Sequence, residues 1–461
     1  MQAPVDRARE QVSARSPELL AALAVVILAP TVVVVGLLID LERLARFSLG
    51  VIGVGLALVT PTSLAVIWAA AAGLSEVGIG DQTIAGYLTA ASLLPFLLLV
   101  GLFMRAMPRL DHPVTIWLLF VAVTAVSSPL SPLPRPLLVQ RFAGLFDYLG
   151  LALLVAAVGG VAKQRVALTM CAAMAAHSIV GVLQYIQRVD GFDAGDGIYR
   201  VAGAFGWSTT LGYLLALGLP LAFALILGSA GYERVVATVC AAIMAAALAL
   251  TFSRTSLVAA AAGCLVVAGL GRLSLRTLTG LGAGAAALAA LAAIGGVDVT
   301  ARFLYGDSVL EFATLNGRTV AWDALFDQSL TLFGHGLFAA RDLLDQLLSG
   351  AIAPHNVYLE SLYDFGVVGA TLLVWLHVAL LVSLGRLART PGPLRSIALG
   401  GLGAVFASLL HGLTGSELWH FSVGAYFFLI AFLPLSLPIL TFSSRFDALG
   451  SRMAVWTRRA T

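Results

Sequence analysis

Charge-poor runs about as long as a bilayer is thick recur along most of this chain, and they decide what it can fold into. A helix needs about 20 mostly apolar residues to cross the hydrocarbon core. The stretch from Ser208 to Gly228 supplies them without one charged side chain. Lipid offers no hydrogen bonds, so the backbone of such a run must satisfy itself as a helix. Composition agrees: 60% of the 461 residues are hydrophobic and 11% are charged, whereas a soluble domain carries about 25% charged residues. Too little polar side chain remains to coat a water-facing surface. The expected fold class is all-α, a polytopic transmembrane helical bundle.

The runs predict spans near 18–39, 47–72, 84–104, 113–128, 142–160, 165–187, 208–228, 234–252, 255–271, 277–295, 359–385, 396–413 and 420–440. Short cytoplasmic loops are enriched in positive charge. Arg105 to Arg109, Lys163 with Arg165, Arg272 with Arg276, and Arg386, Arg389 and Arg395 alternate along the chain as that rule requires, and the tail with Arg445, Arg452, Arg458 and Arg459 joins them inside. The opposite face receives 128–141, 188–207, the turn at Arg254, the long segment 296–358, and 414–419. Arg7, Arg9 and Arg15 favour an inside N-terminus, which an odd number of crossings would forbid. Pro30 and Pro61 each interrupt one of the first two runs, so about 12 crossings are expected. Three regions follow: N-terminal helices over 1–295, a helical outer segment over 296–358, and C-terminal helices with a tail over 359–461. No cleaved signal peptide is expected.

Other classes are disfavoured. The net charge of +3 is scattered through short loops, so no nucleic acid partner is expected. Cys171, Cys240 and Cys264 all lie in apolar runs without metal spacing and read as small buried hydrophobes. The outer segments hold no Asp-x-Asp or His-x-x-x-His, so no metal site and no cofactor are expected. A transporter would place ionisable groups at mid-membrane, yet these spans are nearly free of charge.

The segment 296–358 is the one sizeable hydrophilic stretch between spans, and long loops are usually functional. Asn316 precedes a helical pattern from Arg318 to Leu332, with Gly334 as its expected C-cap. Val320, Trp322, Leu325, Phe326 and Leu330 suggest an amphipathic piece lying on the membrane or the bundle. A second short helix is expected from Arg341 to Leu348. Arginines on this face do not serve topology and call for another role.

Four places there carry chemistry. His355 lies just after Pro354 and just before a span, and Asn356 is placed to cap that helix. The positive end of the helix dipole disfavours an imidazolium, so His355 would stay neutral near pH 7 and accept a proton. Arg318 opens the loop helix. Arg254 sits in Thr251-Phe252-Ser253-Arg254 between two adjacent spans, and Arg200 opens Arg200-Val201-Ala202-Gly203-Ala204-Phe205. A guanidinium donates two parallel hydrogen bonds to a phosphate, and a pyrophosphate calls for more than one arginine. Three arginines and a neutral histidine facing one compartment suit attack by a hydroxyl on a lipid pyrophosphate. His177, His377 and His411 read as packing residues and His335 as a turn residue; His420 and Glu417, in the last outer loop, could line a site, but nothing in the sequence singles them out.

His355-Asn356, followed by nine residues and then Gly366-Val367-Val368-Gly369, resembles the signature of the bacterial O-antigen ligase family. Gly317-Arg318 with Trp322 ahead of Gly334-His335-Gly336, the Arg200 to Phe205 stretch, and Ser253-Arg254 resemble three further segments of that family, in the same order. The likeness runs from about residue 195 to 385. It departs after Phe205, where an expected Asn-Pro-Asn-like stretch reads Gly206-Trp207-Ser208. The resemblance implies a metal-independent, inverting glycosyltransferase of the bacterial inner membrane with its site facing the periplasm. Its donor would be O-antigen on undecaprenyl pyrophosphate, and its acceptor a sugar hydroxyl of lipid A–core. His355 would be the base, with Arg254 and Arg318 also catalytic. Arg200, Arg254, Arg318, Asn356 and Tyr358 would bind substrate. O-antigen polymerases and protein O-oligosaccharyltransferases share much of the pattern and differ in acceptor.

Overall fold

The apolar runs fold as the backbone argument requires. The computed structural model describes residues 61–72, 78–79, 82–83, 112–188, 192–193, 199–271, 318–348 and 353–436. The expected spans 18–39, 84–104 and 277–295, the basic segment Arg105 to Arg109, Arg272 with Arg276, and the tail arginines lie outside the described residues. The described helices are α1 (Pro61–Ala71), α2 (Pro113–Ser127), α3 (Arg135–Ala157), α4 (Gly160–Gln187), α5 (Ser208–Gly228), α6 (Gly231–Leu250), α7 (Arg254–Gly271), α8 (Arg318–Phe326), α9 (Ala339–Leu348), α10 (Val357–Arg389), α11 (Arg395–Gly412) and α12 (Phe421–Phe432). Two antiparallel ladders of two residues each, β1 (Gly78–Ile79) with β2 (Gln82–Thr83) and β3 (Phe192–Asp193) with β4 (Tyr199–Arg200), and two 3₁₀ turns, Ser128–Leu130 and Glu417–Trp419, complete the described secondary structure. Among the described residues, seven helical segments are long and apolar enough to cross a membrane. The fold class is the expected all-α polytopic bundle.

Predicted boundaries move where polar residues continue a helix beyond its apolar run. Helix α3 begins at Arg135 rather than near 142, with Pro136 in its first turn, where a missing N–H leaves no extra orphan. Pro61 is the first residue of α1.

Helices α5 and α11 form the centre, with α7 packed on both. Small residues set their spacing: a side chain at Gly263 would strike the Gly403 carbonyl, and one at Gly400 would strike the backbone of Leu221. Without a hydrophobic drive between helices in lipid, close approach at such glycines supplies the dispersion contacts. Helix α10 packs between α11 and α2, and α12 against α3 and α11.

The bundle has two chemically distinct ends. At one, Val201 N donates to Leu250 O at 3.2 Å, Val357 N donates to Gly415 O at 3.1 Å, Gln184 Nε2 donates to Gly203 O at 2.8 Å, and Ser131 Oγ donates to Leu337 O at 2.7 Å. These bonds gather the segments that the charge pattern assigned to the outer face. At the other end Arg395 Nε donates to Ala388 O at 3.1 Å and Arg234 Nε to Ser229 O at 2.9 Å, and Lys163 Nζ donates to Leu435 O.

Helix α10 is 33 residues long, about 50 Å at 1.5 Å per residue, against a hydrocarbon core of about 30 Å. It breaks at Gly366, whose backbone has φ 71° and ψ −172°. A break frees backbone groups that must find partners, and the loop after α8 supplies them. His335 N donates to Tyr363 O at 3.0 Å and Gly336 N to Asp364 O at 2.9 Å, while Val367 N and Val368 N donate to Thr331 O and Leu332 O at 3.1 Å each. The loop helix therefore does not run to Leu332 with Gly334 as its cap. It ends at Phe326, because the following residues are drawn into a strap that completes the break in α10. Gly334, at φ +76°, lies with its backbone against Asp364 and Gly366, and Gly336, at φ +99°, against Ser131.

An alanine at Gly366 meets both a left-handed backbone and the strap carbonyl of Leu332. Gly366→Ala is expected to cost about 2 kcal/mol or more, read as a drop in melting temperature in detergent. Gly385→Ala, on the same helix with open space around it, should leave the melting temperature unchanged or raise it.

Candidate functional site

The turn before α10 is held from three sides. Trp322 Nε1, on α8, donates to Pro354 O at 2.8 Å. Asn356 caps α10: its Oδ1 accepts from Tyr358 N and Leu359 N at 3.0 Å each, and its Nδ2 donates to Leu413 O at 3.1 Å. Between these anchors His355 is forced to φ +50°. A positive φ is uncommon for a residue with a Cβ and persists only where the surroundings over-determine it. The imidazole is thus pinned on the rim of the bundle, half-buried.

Charged groups from four elements surround it. Arg318 opens α8. Arg341, on α9, donates through Nε to Glu360 Oε1 of α10 at 2.8 Å. Asp364 accepts from Phe338 N and Ala340 N at 2.9 and 2.8 Å, fastening the start of α9 to α10. Glu417 opens the short 3₁₀ turn Glu417–Trp419 between α11 and α12. Burial pushes the His355 imidazole below its ordinary range, and the guanidiniums of Arg318 and Arg341 push the same way against Glu417. Burial also opposes ionisation of Glu417, but His411, its own backbone amide, His355 and Thr209 together hold its carboxyl below the ordinary range. Burial lowers Arg318 while Glu417 supports its charge. The site therefore presents a neutral imidazole beside fixed cations and one carboxylate. His355 is neutral as expected, though burial is the largest cause.

Residues 239–374 match the profile of a protein family described as O-Antigen ligase. Over that segment, under a third of the chain, the protein is similar to the O-antigen ligase family. No curated protein matches the chain. This family is associated with membrane glycosyltransferases of ligase or polymerase type. The matched segment contains Arg254, Arg318, Trp322, Arg341, His355 and Gly366, and it ends within α10.

Arg318 lies close enough to His355 for its charge to help push the imidazole below its ordinary range. Arg254 heads α7 after a tight turn in which Phe252 takes φ +50° and Ser253 N donates to Thr251 Oγ1 at 3.3 Å. Arg200 lies in β4, one residue before the Val201–Leu250 hydrogen bond that ties its loop to the end of α6. The two arginines thus occupy neighbouring loops at the His355 end, each half-buried. Asn356 and Tyr358 are engaged by the protein itself: Asn356 in the cap, and Tyr358 by donating its hydroxyl to Leu409 O at 3.3 Å. Their contribution is to seat the turn that carries His355. Arg341, Glu360, Asp364 and Glu417 were not legible as members of the site, because each is an isolated charge whose partner is distant in sequence. Among the described residues no three His, Cys, Asp or Glu side chains are placed to hold a metal ion.

Removing the cap tests this seating. Asn356→Ala should lower stability by about 1 kcal/mol, measured by thermal unfolding in detergent. Asn356→Asp, which keeps the accepting oxygen but sets a second acceptor against Leu413 O, should recover only part of that loss.

Proposed function

We propose that this protein is an O-antigen ligase. In this reading it moves a glycan from undecaprenyl pyrophosphate to a sugar hydroxyl of lipid A–core, at the periplasmic face of the bacterial inner membrane, without metal or cofactor. The observation that carries the reading is the pinned, neutral His355 beside Arg318 at the outer end of a long apolar helix. The acceptor hydroxyl gives its proton to His355 while its oxygen attacks the anomeric carbon from the face opposite the leaving group. The bond between that carbon and the pyrophosphate oxygen breaks, and its electron pair departs on the pyrophosphate, so the anomeric centre inverts.

The leaving group is stable as an anion and needs electrostatic stabilisation rather than a proton. Arg200, Arg254 and Arg318 are assigned to it. Lys163, Arg165, Arg386, Arg389 and Arg395 at the other end of the bundle support a cytoplasmic location for that end and hence a periplasmic site.

Purified protein is given lipid-linked glycan with either lipid A–core or a second lipid-linked glycan, in the presence of a chelator. Lipid A–core should be extended. Exclusive extension of the second glycan would make the protein a polymerase, and dependence on added metal would remove the metal-free mechanism. His355→Ala should lose transfer by about 10²–10⁴-fold while inserting normally, and normal transfer in that variant would dismiss the base. Because the base must be unprotonated, activity should rise with pH through a limb centred below the ordinary 6.5. Arg254→Lys and Arg318→Lys should raise the donor KM, since a single-point ammonium replaces a two-pronged contact.

A further inference from the structure

Behind Glu417 a chain of polar side chains runs through the bundle to the head of α7. Glu417 Oε2 lies 3.6 Å from His411 Nδ1. His411 Nε2 lies 3.1 Å from Ser256 Oγ, which lies 2.7 Å from Ser253 Oγ. Ser253 directly precedes Arg254. Thr255 Oγ1 and Thr414 Oγ1, 2.8 Å apart, make a parallel link between the same two elements. His411 and Ser256 are buried, and the ring of Tyr213 stacks on His411 at 4.0 Å with an interplanar angle of 1°. Glycines make the space: a side chain at Gly415 would collide with Glu417 and His411, and one at Gly212 would collide with Ser256. Four elements, α5, α7, α11 and the 3₁₀ turn, thus line one path in an apolar interior, joined by the Ser253–Ser256 and Ser256–His411 hydrogen bonds and by the charge contact between His411 and Glu417, which a low dielectric strengthens.

We propose that Glu417 and His411 form a positioning dyad that holds the arginine at the head of α7 in register with the His355–Arg318 pair, so that donor and base are aligned. The inference rests on the reading of His355 as the general base. His411 and Ser256 are buried away from substrate and act through their neighbours. Glu417 faces Arg318 from α8, Arg341 from α9, His355 from the turn before α10, His411 from α11 and Thr209 from α5, with Glu360 and Asp364 beyond Arg341. Of the groups acting on His355, Glu417 alone favours the imidazolium. Its loss therefore lets the base deprotonate at lower pH, while removing a constraint on Arg318.

The full chain is assayed for glycan transfer to the acceptor identified above, across pH, as wild type, Glu417→Gln, Glu417→Asp and Ser256→Ala, with His355→Ala as reference. Glu417→Gln should fold, lose kcat severalfold, and shift its acid limb to lower pH. Glu417→Asp should restore most of the limb position, which a role in packing alone would not do. Ser256→Ala should raise the donor KM and leave the limb in place. A Gln variant with an unmoved limb or full kcat overturns the dyad, as does an unchanged donor KM in Ser256→Ala; the second measurement stands even if the Gln variant does not fold. Transfer that persists in His355→Ala defeats the base assignment itself, whereas loss of transfer there with an unmoved limb in Glu417→Gln defeats the dyad alone.

Discussion

Hydrocarbon has no hydrogen bonds to give, and the rest of the structure follows from that. Every backbone group within the bilayer must be partnered inside its own helix, so irregular backbone is pushed to the ends of the bundle. Helix α10 shows how the limit is met. Its break at Gly366 frees the Tyr363 and Asp364 carbonyls and the Val367 and Val368 amides, and the strap 331–336 partners all four. Asp364 then fastens α9 through two backbone amides. The break thus recruits the loop that carries Arg318 and Arg341 and holds it against the turn that carries His355.

Electrostatics around His355 follows from the same placement. A histidine in open water would be protonated and deprotonated in comparable amounts near its ordinary pKa. Here burial and two guanidiniums favour the neutral form, while Glu417 prevents the surrounding cations from acting unopposed. The balance matters for chemistry. A base depressed without limit would be too weak to take a hydroxyl proton, because proton-transfer efficiency follows basicity. Burial and the cations keep the imidazole neutral, and the one carboxylate among them keeps it basic.

The spans were legible because their signal is local and long: α5 occupies the 208–228 run read from composition alone. The Asn356 cap was equally legible, since a cap is a relation between neighbouring residues. Boundaries such as the start of α3 were less so, because a helix continues past the hydrocarbon for as long as its polar residues find water or protein. The fate of Gly334 was misread for a different reason. Locally a glycine after a helical pattern reads as a C-cap, whereas its requirement comes from the backbone of Gly366, far along the chain. Glu417 lay beyond reach in the same sense: nothing near it in sequence reveals that His411, His355 and Arg318 converge on it.

That convergence also bears on why the proposed chemistry would sit at a helix end rather than in the membrane centre. Charges at mid-bilayer are costly and suit pathways that cross it, whereas a lipid-linked pyrophosphate keeps its charge at the headgroup level. A site for such a substrate needs cations held at that height, on supports that do not yield when the anion arrives. The head of α7, the head of α8 and the turn before α10 provide three such supports. The links Thr255–Thr414, Trp322–Pro354 and Val357–Gly415 tie them to one another and to the α11–α12 loop at distances of 2.8, 2.8 and 3.1 Å. Preorganisation of this kind is where electrostatic catalysis gains its advantage over water, whose dipoles must reorient as charge develops.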